Sequence, residues 1–247
     1  MSLDFLVGLL ATRQKDFDVF KEGFDNSFGD FSLREGDKRI RELIIKKFSS
    51  QAQKSDFLKK DIDFHRKAVR SCKERKESFF LQALFLTYDF YNLELIKKNQ
   101  TIEIAMGYAS LEEIKRIIQE RKRNNLFFYP ELLIEHFLPE KKDFISPKEI
   151  FNFRLSFLLA GKSDFINYYL EVESDLQNYD FEKMKKRIPF DLLKILKGED
   201  FYELELFKFY LPFLLTRKRY FSNPYEFTFV YFQKRFCFWK IIEPYLV

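Results

Sequence analysis

Residues 57–98, FLKKDIDFHRKAVRSCKERKESFFLQALFLTYDFYNLELIKK, decide the fold class of this chain. The stretch lacks glycine and proline, and its apolar residues recur at helical spacing. A single helix of about 40 residues would be about 60 Å long at 1.5 Å per residue, which is typical of an elongated bundle. Residues 79–96 are mostly apolar, so we expect that part to be buried nearly all round. The sequence therefore predicts one long helix here, separated from a short one near Ser49 and Ser50.

The composition favours helix over sheet. The 247 residues include only 7 glycines and 7 prolines, too few for the frequent turns of a many-stranded fold. We predict an all-α protein, an elongated multi-helix bundle with at least one long helix and no sheet. The 33 phenylalanines are expected to fill the core, since phenylalanine is a mediocre helix former. Compositional bias of an AT-rich genome is the alternative explanation for their number.

Glycine and aromatic residues distinguish the N-terminal region from the rest. Residues 1–37 contain phenylalanines every three or four positions, a spacing that predicts short helical turns docked on a larger body. We predict an N-terminal aromatic cap over 1–37 and a helical body over 38–247. The body is expected to contain two related helical units, 38–125 and 126–247.

Capping signals mark several helix ends. Ser110 and Glu113 have the spacing of a capping box, in which each side chain binds the backbone N–H of the other residue. Ser146 precedes a proline and predicts another N-cap, and Asn223 with Pro224 predicts the start of the last helix. These local signals support the helical interpretation.

No motif for catalysis, cofactor binding or metal binding is present. His65 and His136 lie on separate predicted helices without companion ligands at metal-binding spacing, and we expect both to be exposed. Cys72 and Cys237 match no metal or redox spacing. No glycine-rich phosphate loop and no nucleophile elbow occurs. We therefore predict a protein that is not an enzyme and has no cofactor.

Charge and hydropathy bear on localisation. No run of about eighteen uncharged apolar residues occurs, and the first residues lack the features of a signal peptide. The two unpaired cysteines fit a reducing compartment. We expect a cytoplasmic protein, with peripheral association to a membrane complex as a further option. The net charge of +5 arises from mixed charges and is too small to indicate nucleic-acid binding by itself.

Two polar pairs share the order Asp-Phe-x-Asn or a close variant of its spacing. Asp89 and Asn92 lie on one helix face within an apolar segment, and Asp164 and Asn167 repeat the spacing 75 residues later. Buried polar side chains need partners, so we interpret both pairs as structural, with Asp89 and Asn92 fixing the register between neighbouring helices. The alternative is that Asp89 and Asn92 belong to an exposed polar stripe.

Basic clusters at predicted helix ends are the candidate partner contacts. They could face an acidic protein surface or the phosphates of a nucleic acid, and Tyr220 or Phe221 could stack on bases. The residues concerned are Arg121, Lys122, Arg123, Arg217, Lys218 and Arg219.

The segment FFLQALFLTYDFYNLELIKKNQTIEIAMGYASLEEIKRII, residues 79–118, resembles the helical segment of the V-type (rotary) ATPase family of central-stalk socket proteins and its shorter bacterial relatives. The D-x-x-N-L element of that family matches Asp89, Asn92 and Leu93, followed by lysines at 97–98. The end of the chain, NPYEFTFVYFQKRFCFWKII, resembles the closing helix of the family. Phe238 and Trp239 stand where the family often has Asn-Leu.

The resemblance implies an all-helical, non-catalytic socket that joins the central shaft of a rotary ATPase to its membrane ring. In that case Asp89 and Asn92 would order helices, and the basic ends near Arg121–Arg123 and Arg217–Arg219 would contact the shaft and the ring. We thus expect a scaffold or adaptor within a larger complex, without insertion into the membrane. The alternative is a helical nucleic-acid-binding or regulatory protein that uses its basic helix ends.

Overall fold

The chain is all-α in a computed structural model. The structure describes residues 1–24, 32–48, 50–97, 102, 104–120, 163–179, 181–195, 200–217, 219–221 and 223–243. These residues contain helices and no strand, which confirms the predicted class. The α-helices are α1 (Leu3–Ala11), α2 (Asp18–Phe24), α3 (Leu33–Lys47), α4 (Gln51–Arg70), α5 (Arg75–Lys97), α6 (Leu111–Glu120), α7 (Asp164–Gln177), α8 (Phe181–Arg187), α9 (Phe190–Leu193), α10 (Phe201–Leu214) and α11 (Pro224–Ile242), and a 3-10 helix covers Gln14–Phe17.

The prediction of a single helix of about 40 residues was wrong, because the chain breaks at residues 71–74 between α4 and α5. The backbone N–H of Cys72 donates to Val69 O at 3.2 Å, which tightens the last turn to 3-10 geometry. The Ser71 hydroxyl donates to Ala68 O at 2.6 Å and so satisfies a carbonyl of the last turn. The predicted break near Ser50 is confirmed, since α3 ends at Lys47 and α4 begins at Gln51.

Backbone contacts divide the chain into two compact units. Unit 1 comprises Met1–Ser2 and Asp61–Ala160, and unit 2 comprises Leu3–Lys60 and Gly161–Val247. The boundaries differ from the predicted ones at residues 37 and 125, because most of the N-terminal region packs within unit 2. The predicted caps at Ser110 and Asn223 are present in units 1 and 2 respectively. The predicted N-cap at Ser146 lies outside the described residues.

Unit 2 is built around α11, whose residues from Thr228 onward are mostly buried. Helix α1 packs on α11, α2 packs on α3, and α10 packs on both α3 and α11. The α2–α3 approach is close, since a Cβ at Gly23 would overlap the side chain of Ile40. Asp37 ties α3 to α10, because it accepts a hydrogen bond of 2.6 Å from the Tyr210 hydroxyl and pairs with Arg41.

Candidate functional site

The described part of unit 1 has a polar centre at Asp89, which is fully buried in α5. Its two carboxylate oxygens accept hydrogen bonds from the backbone N–H groups of Tyr108, at 3.0 Å, and Ala109, at 3.1 Å. These residues precede α6, whose first turn is closed by the capping box of Ser110 and Glu113. Asp89 therefore fixes the entry to α6 against α5.

Two arginines of α4 hold the carbonyl groups of the same segment. Arg66 donates to Ala105 O at 2.7 Å and to Gly107 O at 3.2 Å from Nε, and Arg70 donates to Tyr108 O at 2.6 Å. Both the N–H and the C=O groups of this turn are thus bound by side chains of opposite charge. The charged groups are occupied by backbone, so this centre orders helices and offers little to a ligand.

Close approach and burial define the state of Asp89. A Cβ at Gly107 would overlap Asp89 Oδ1, so only glycine allows the turn to lie this close to the carboxylate. Burial raises the pKa of Asp89 to about 8, against the lowering effect of the two backbone hydrogen bonds and of Arg66 and Arg70. The carboxyl group therefore titrates near neutral pH.

The two polar pairs lie in different environments. Asp89 and Asn92 are both buried in the middle of α5, so they do not form an exposed stripe. Asp164 is exposed and is the first residue of α7, where Ser163 is the N-cap, and Asn167 is half-buried one turn later. The recurrence in the sequence does not correspond to equivalent structural positions.

His65 is fully buried, contrary to the prediction of an exposed side chain. Its Nδ1 lies 2.6 Å from Asp61 O, one turn earlier in α4. The predicted histidine at 136 lies outside the described residues. Within the described ranges no cluster of three or more His, Cys, Asp or Glu side chains is placed to bind a metal ion. Cys72 and Cys237 are free and buried.

Unit 2 contains a groove of about 800 Å³ that no single sequence motif marks. One wall is formed by residues 11–24, the 3-10 helix and α2, and the other by α11 near Tyr231 and Lys234. The end of α10 and residues 216–221 complete the lining. We call this feature the aromatic groove.

Arg235 fixes the N-terminal wall of the aromatic groove to α11. Its side chain is fully buried, and Nη1 lies 2.9 Å from Asp16 Oδ2. Its Nη2 donates to Arg13 O at 3.2 Å and lies 2.7 Å from the Tyr231 hydroxyl. The guanidinium also lies over the ring of Phe17, 4.8 Å from its centroid. A charged and planar side chain thus holds the 3-10 helix in place.

Aromatic rings line the groove beside this anchor. Phe20 and Phe213 stack with centroids 3.9 Å apart, and Phe17 meets Phe213 edge to face at 5.9 Å. The Lys234 ammonium lies 5.3 Å from the centroid of the Phe213 ring. This arrangement provides flat apolar surfaces with a cation beside them.

Positive charge predominates around the aromatic groove. Lys15, Lys21 and Arg217 are exposed at its rim. Arg219 also lines it but is paired with Glu226 at 3.3 Å. Among the described residues that line the groove, Lys234 is the fifth cation and Asp18 is the single carboxylate. The groove therefore suits a negatively charged ligand with apolar or aromatic parts.

The structure brings some of the predicted partner contacts into the groove. Arg217 and Arg219 both line it, as does Tyr220, which is 99% exposed. The predicted contacts at 121–123 and Lys218 lie outside the described residues. Sequence reasoning missed Lys234, although a basic residue in the aromatic run FVYFQKRFCFW was a visible signal.

The chain matches no protein-family model, no curated protein and no solved structure. The resemblance to the socket proteins of V-type ATPases therefore stays a prediction. None of the helices in the described ranges is long and apolar enough to cross a membrane.

Proposed function

We propose that this protein is a non-catalytic adaptor that binds another protein through the aromatic groove of unit 2. The observation that carries the proposal is the combination of aromatic walls with five cationic side chains and one carboxylate in the lining. Aromatic residues and arginine are enriched at protein interfaces, where they supply most of the binding energy. The partner is expected to present an acidic segment, since charges of opposite sign favour encounter and binding.

The size of the groove fits a short segment of a partner better than a flat protein surface. Its volume of about 800 Å³ falls in the range of ligand clefts, which bury most of the surface of a compact ligand. The rim lysines Lys15 and Lys21 lie on the 3-10 helix and α2, so they can meet acidic residues that flank the inserted segment.

Affinity purification of the full chain from its native cells tests the proposal. We would compare the wild-type chain with a rim variant, Lys15→Glu with Lys21→Glu, and with a matched control, Lys185→Glu with Lys186→Glu. The control lysines are exposed on α8 in the same unit and do not line the groove. We expect a protein that the wild type and the control retain, that the rim variant loses, and that cross-links through an acidic segment to the groove. Equal recovery of all proteins with the rim variant and the control would refute the groove as the binding site.

The sequence resemblance suggests a specific form of this function, the socket between the shaft and the membrane ring of a rotary ATPase. It is supported by the similarity of residues 79–118 and 223–242 to the socket proteins of V-type ATPases. In that form, the shaft and ring proteins of a rotary ATPase would co-elute with the chain. Recovery of the chain as a lone monomer under gentle, low-salt conditions would count against it.

Binding of single-stranded nucleic acid is the second candidate function. It is favoured by the exposed ring of Tyr220, which lies in the chain beside Arg219 and lines the same groove. Aromatic side chains stack on bases while cations contact phosphates. Fluorescence anisotropy with labelled single-stranded DNA and RNA tests this function, which requires affinity that falls steeply with salt and a loss of affinity on Tyr220→Ala.

A further inference from the structure

Lys234 differs from the other cations of the aromatic groove. Lys15, Lys21 and Arg217 are exposed, whereas Lys234 is half-buried and lies beside the Phe213 ring. In the part of the chain that the structure describes, no ion pair joins it to a carboxylate. Burial lowers the pKa of its ammonium group to about 8. A cation has thus been placed in an apolar environment without a counter-charge.

The charged neighbours do not compensate for this placement. Asp16 is paired with Arg235 at 2.9 Å and lies 3.5 Å from Lys47 Nζ. Glu226 is paired with Arg219. Asp18 lines the groove but is exposed on α2. A carboxylate supplied by a ligand would therefore meet an available cation at Lys234.

From this geometry we infer that the aromatic groove has an inner subsite, in which Lys234 binds a carboxylate of the partner protein while Phe213 and Phe20 hold an adjacent aromatic side chain. The inference rests on the proposed adaptor function and names the chemistry of the bound segment, an acidic residue next to an aromatic one. A hydrogen bond between two charged groups is about twice as strong as a neutral one, and removal from water strengthens it further.

The inner and outer cations then have separable roles. The exposed lysines at the rim act at long range and are screened by salt, so they affect mainly the rate of association. Lys234 acts at contact in an apolar site and affects mainly the rate of dissociation. A segment that carries only acidic residues would use the rim alone, and a segment that carries only aromatic residues would leave Lys234 without a counter-charge.

Fluorescence anisotropy with the full-length protein tests the subsite. The probe is a fluorescein-labelled octapeptide of alternating glutamate and phenylalanine. The comparison probes are the same peptide with alanine for phenylalanine, the same peptide with lysine for glutamate, and a labelled oligothymidylate. The protein variants are Lys234→Met, Lys234→Arg and the control Lys240→Met, which removes an exposed lysine from the same helix.

We expect the glutamate–phenylalanine peptide to bind best, and Lys234→Met to weaken it by about tenfold or more. Lys240→Met should leave the affinity unchanged, and Lys234→Arg, which keeps the charge, should retain most of it. Circular dichroism and thermal unfolding verify that each variant is folded, and Lys234→Arg keeps the test decisive if Lys234→Met does not fold.

Three results would overturn the inference: equal affinity of Lys234→Met and Lys240→Met, equal binding of the glutamate and lysine peptides, or tighter binding of the oligothymidylate. Failure of the subsite is distinguishable from failure of the adaptor function. A native partner that is lost from the Lys15→Glu, Lys21→Glu rim variant but retained by Lys234→Met would leave the adaptor function standing and exclude the inner subsite.

Discussion

Arg235 Nη1 lies 2.9 Å from Asp16 Oδ2, and this ion pair joins positions 219 residues apart in the sequence. The guanidinium is fully buried, so the pair forms where water cannot screen it. Because Arg235 also donates to Arg13 O, it holds the 3-10 helix against α11. The N-terminal wall of the aromatic groove thus depends on a residue in the last helix.

Breaking this pair is expected to destabilise the protein. Arg235→Met should lower the free energy of unfolding by about 3 kcal/mol, because a buried network loses its donor. Asp16→Asn should cost less, roughly 1 kcal/mol, since Asp16 is partly exposed and its amide can still accept a hydrogen bond. Denaturant unfolding of both single variants and the double variant gives the coupling energy, expected to be about 1–3 kcal/mol. Additive effects of the two substitutions would show that the pair does not contribute as a unit.

The turn held by Asp89 should tolerate no side chain at Gly107. Gly107→Ala would drive a methyl group onto Asp89 Oδ1, and we expect a loss of about 1–3 kcal/mol in the free energy of unfolding. Gly8→Ala is the matched control, because a Cβ at Gly8 in α1 meets nothing within 4 Å. The control should be stabilised by roughly 0.5–1 kcal/mol, as expected for alanine in place of glycine within a helix. Thermal or denaturant unfolding distinguishes the two, and equal effects would contradict the close approach.

Asp89 should contribute a pH dependence of stability. Its pKa in the folded protein is about 8, above the ordinary value of 3.8, so the folded state binds the additional proton between these pH values. The free energy of unfolding contributed by this group therefore falls as pH rises from about 4 to 8, by up to about 1.4 kcal/mol per pH unit.

Asp89→Asn tests this linkage. The amide cannot ionise, so the difference between the unfolding free energies of wild type and variant should change with pH over that window. At low pH the variant should be the less stable one, because its NH₂ group replaces an acceptor of a backbone N–H. A difference that is constant from pH 4 to 8 would show that Asp89 stays ionised throughout. Asp164→Asn, at an exposed carboxylate, is the control.

The sequence predicts the local features of the fold well. The capping box at Ser110 and Glu113 and the N-cap at Asn223 depend on residues two or three positions apart, so the chain carries the whole signal locally. The break after Arg70 was not predictable in this way, since residues 71–74 contain neither glycine nor proline. It depends on hydrogen bonds of Ser71 and Cys72 to the last turn of α4, which helical periodicity does not reveal.

The aromatic groove shows where sequence reasoning stops. The spacing of Phe17, Phe20 and Phe24 predicted an aromatic stripe, but it could not identify Phe213 as its stacking partner. The same holds for Lys234, whose desolvation depends on residues from three separate parts of the chain. Contacts between distant segments are set by tertiary packing, which propensity and periodicity do not encode.

Lys234 should destabilise the protein when no ligand is bound. Burial lowers the pKa of its ammonium from 10.5 to about 8, so the unfolded chain binds more protons than the folded one between these values. The free energy of unfolding therefore rises with pH from about 8 to 10.5 and carries its full penalty below about 8. Lys234→Met removes the charge, and we expect it to raise the free energy of unfolding at pH 7 by roughly 1–3 kcal/mol and to abolish that rise. Denaturant unfolding at pH 7 and pH 10, with Lys240→Met as the control, measures both effects. A binding residue that costs stability in the free protein agrees with the inner subsite, whereas a Lys234→Met variant less stable than wild type at pH 7 would show that the lysine is a structural residue.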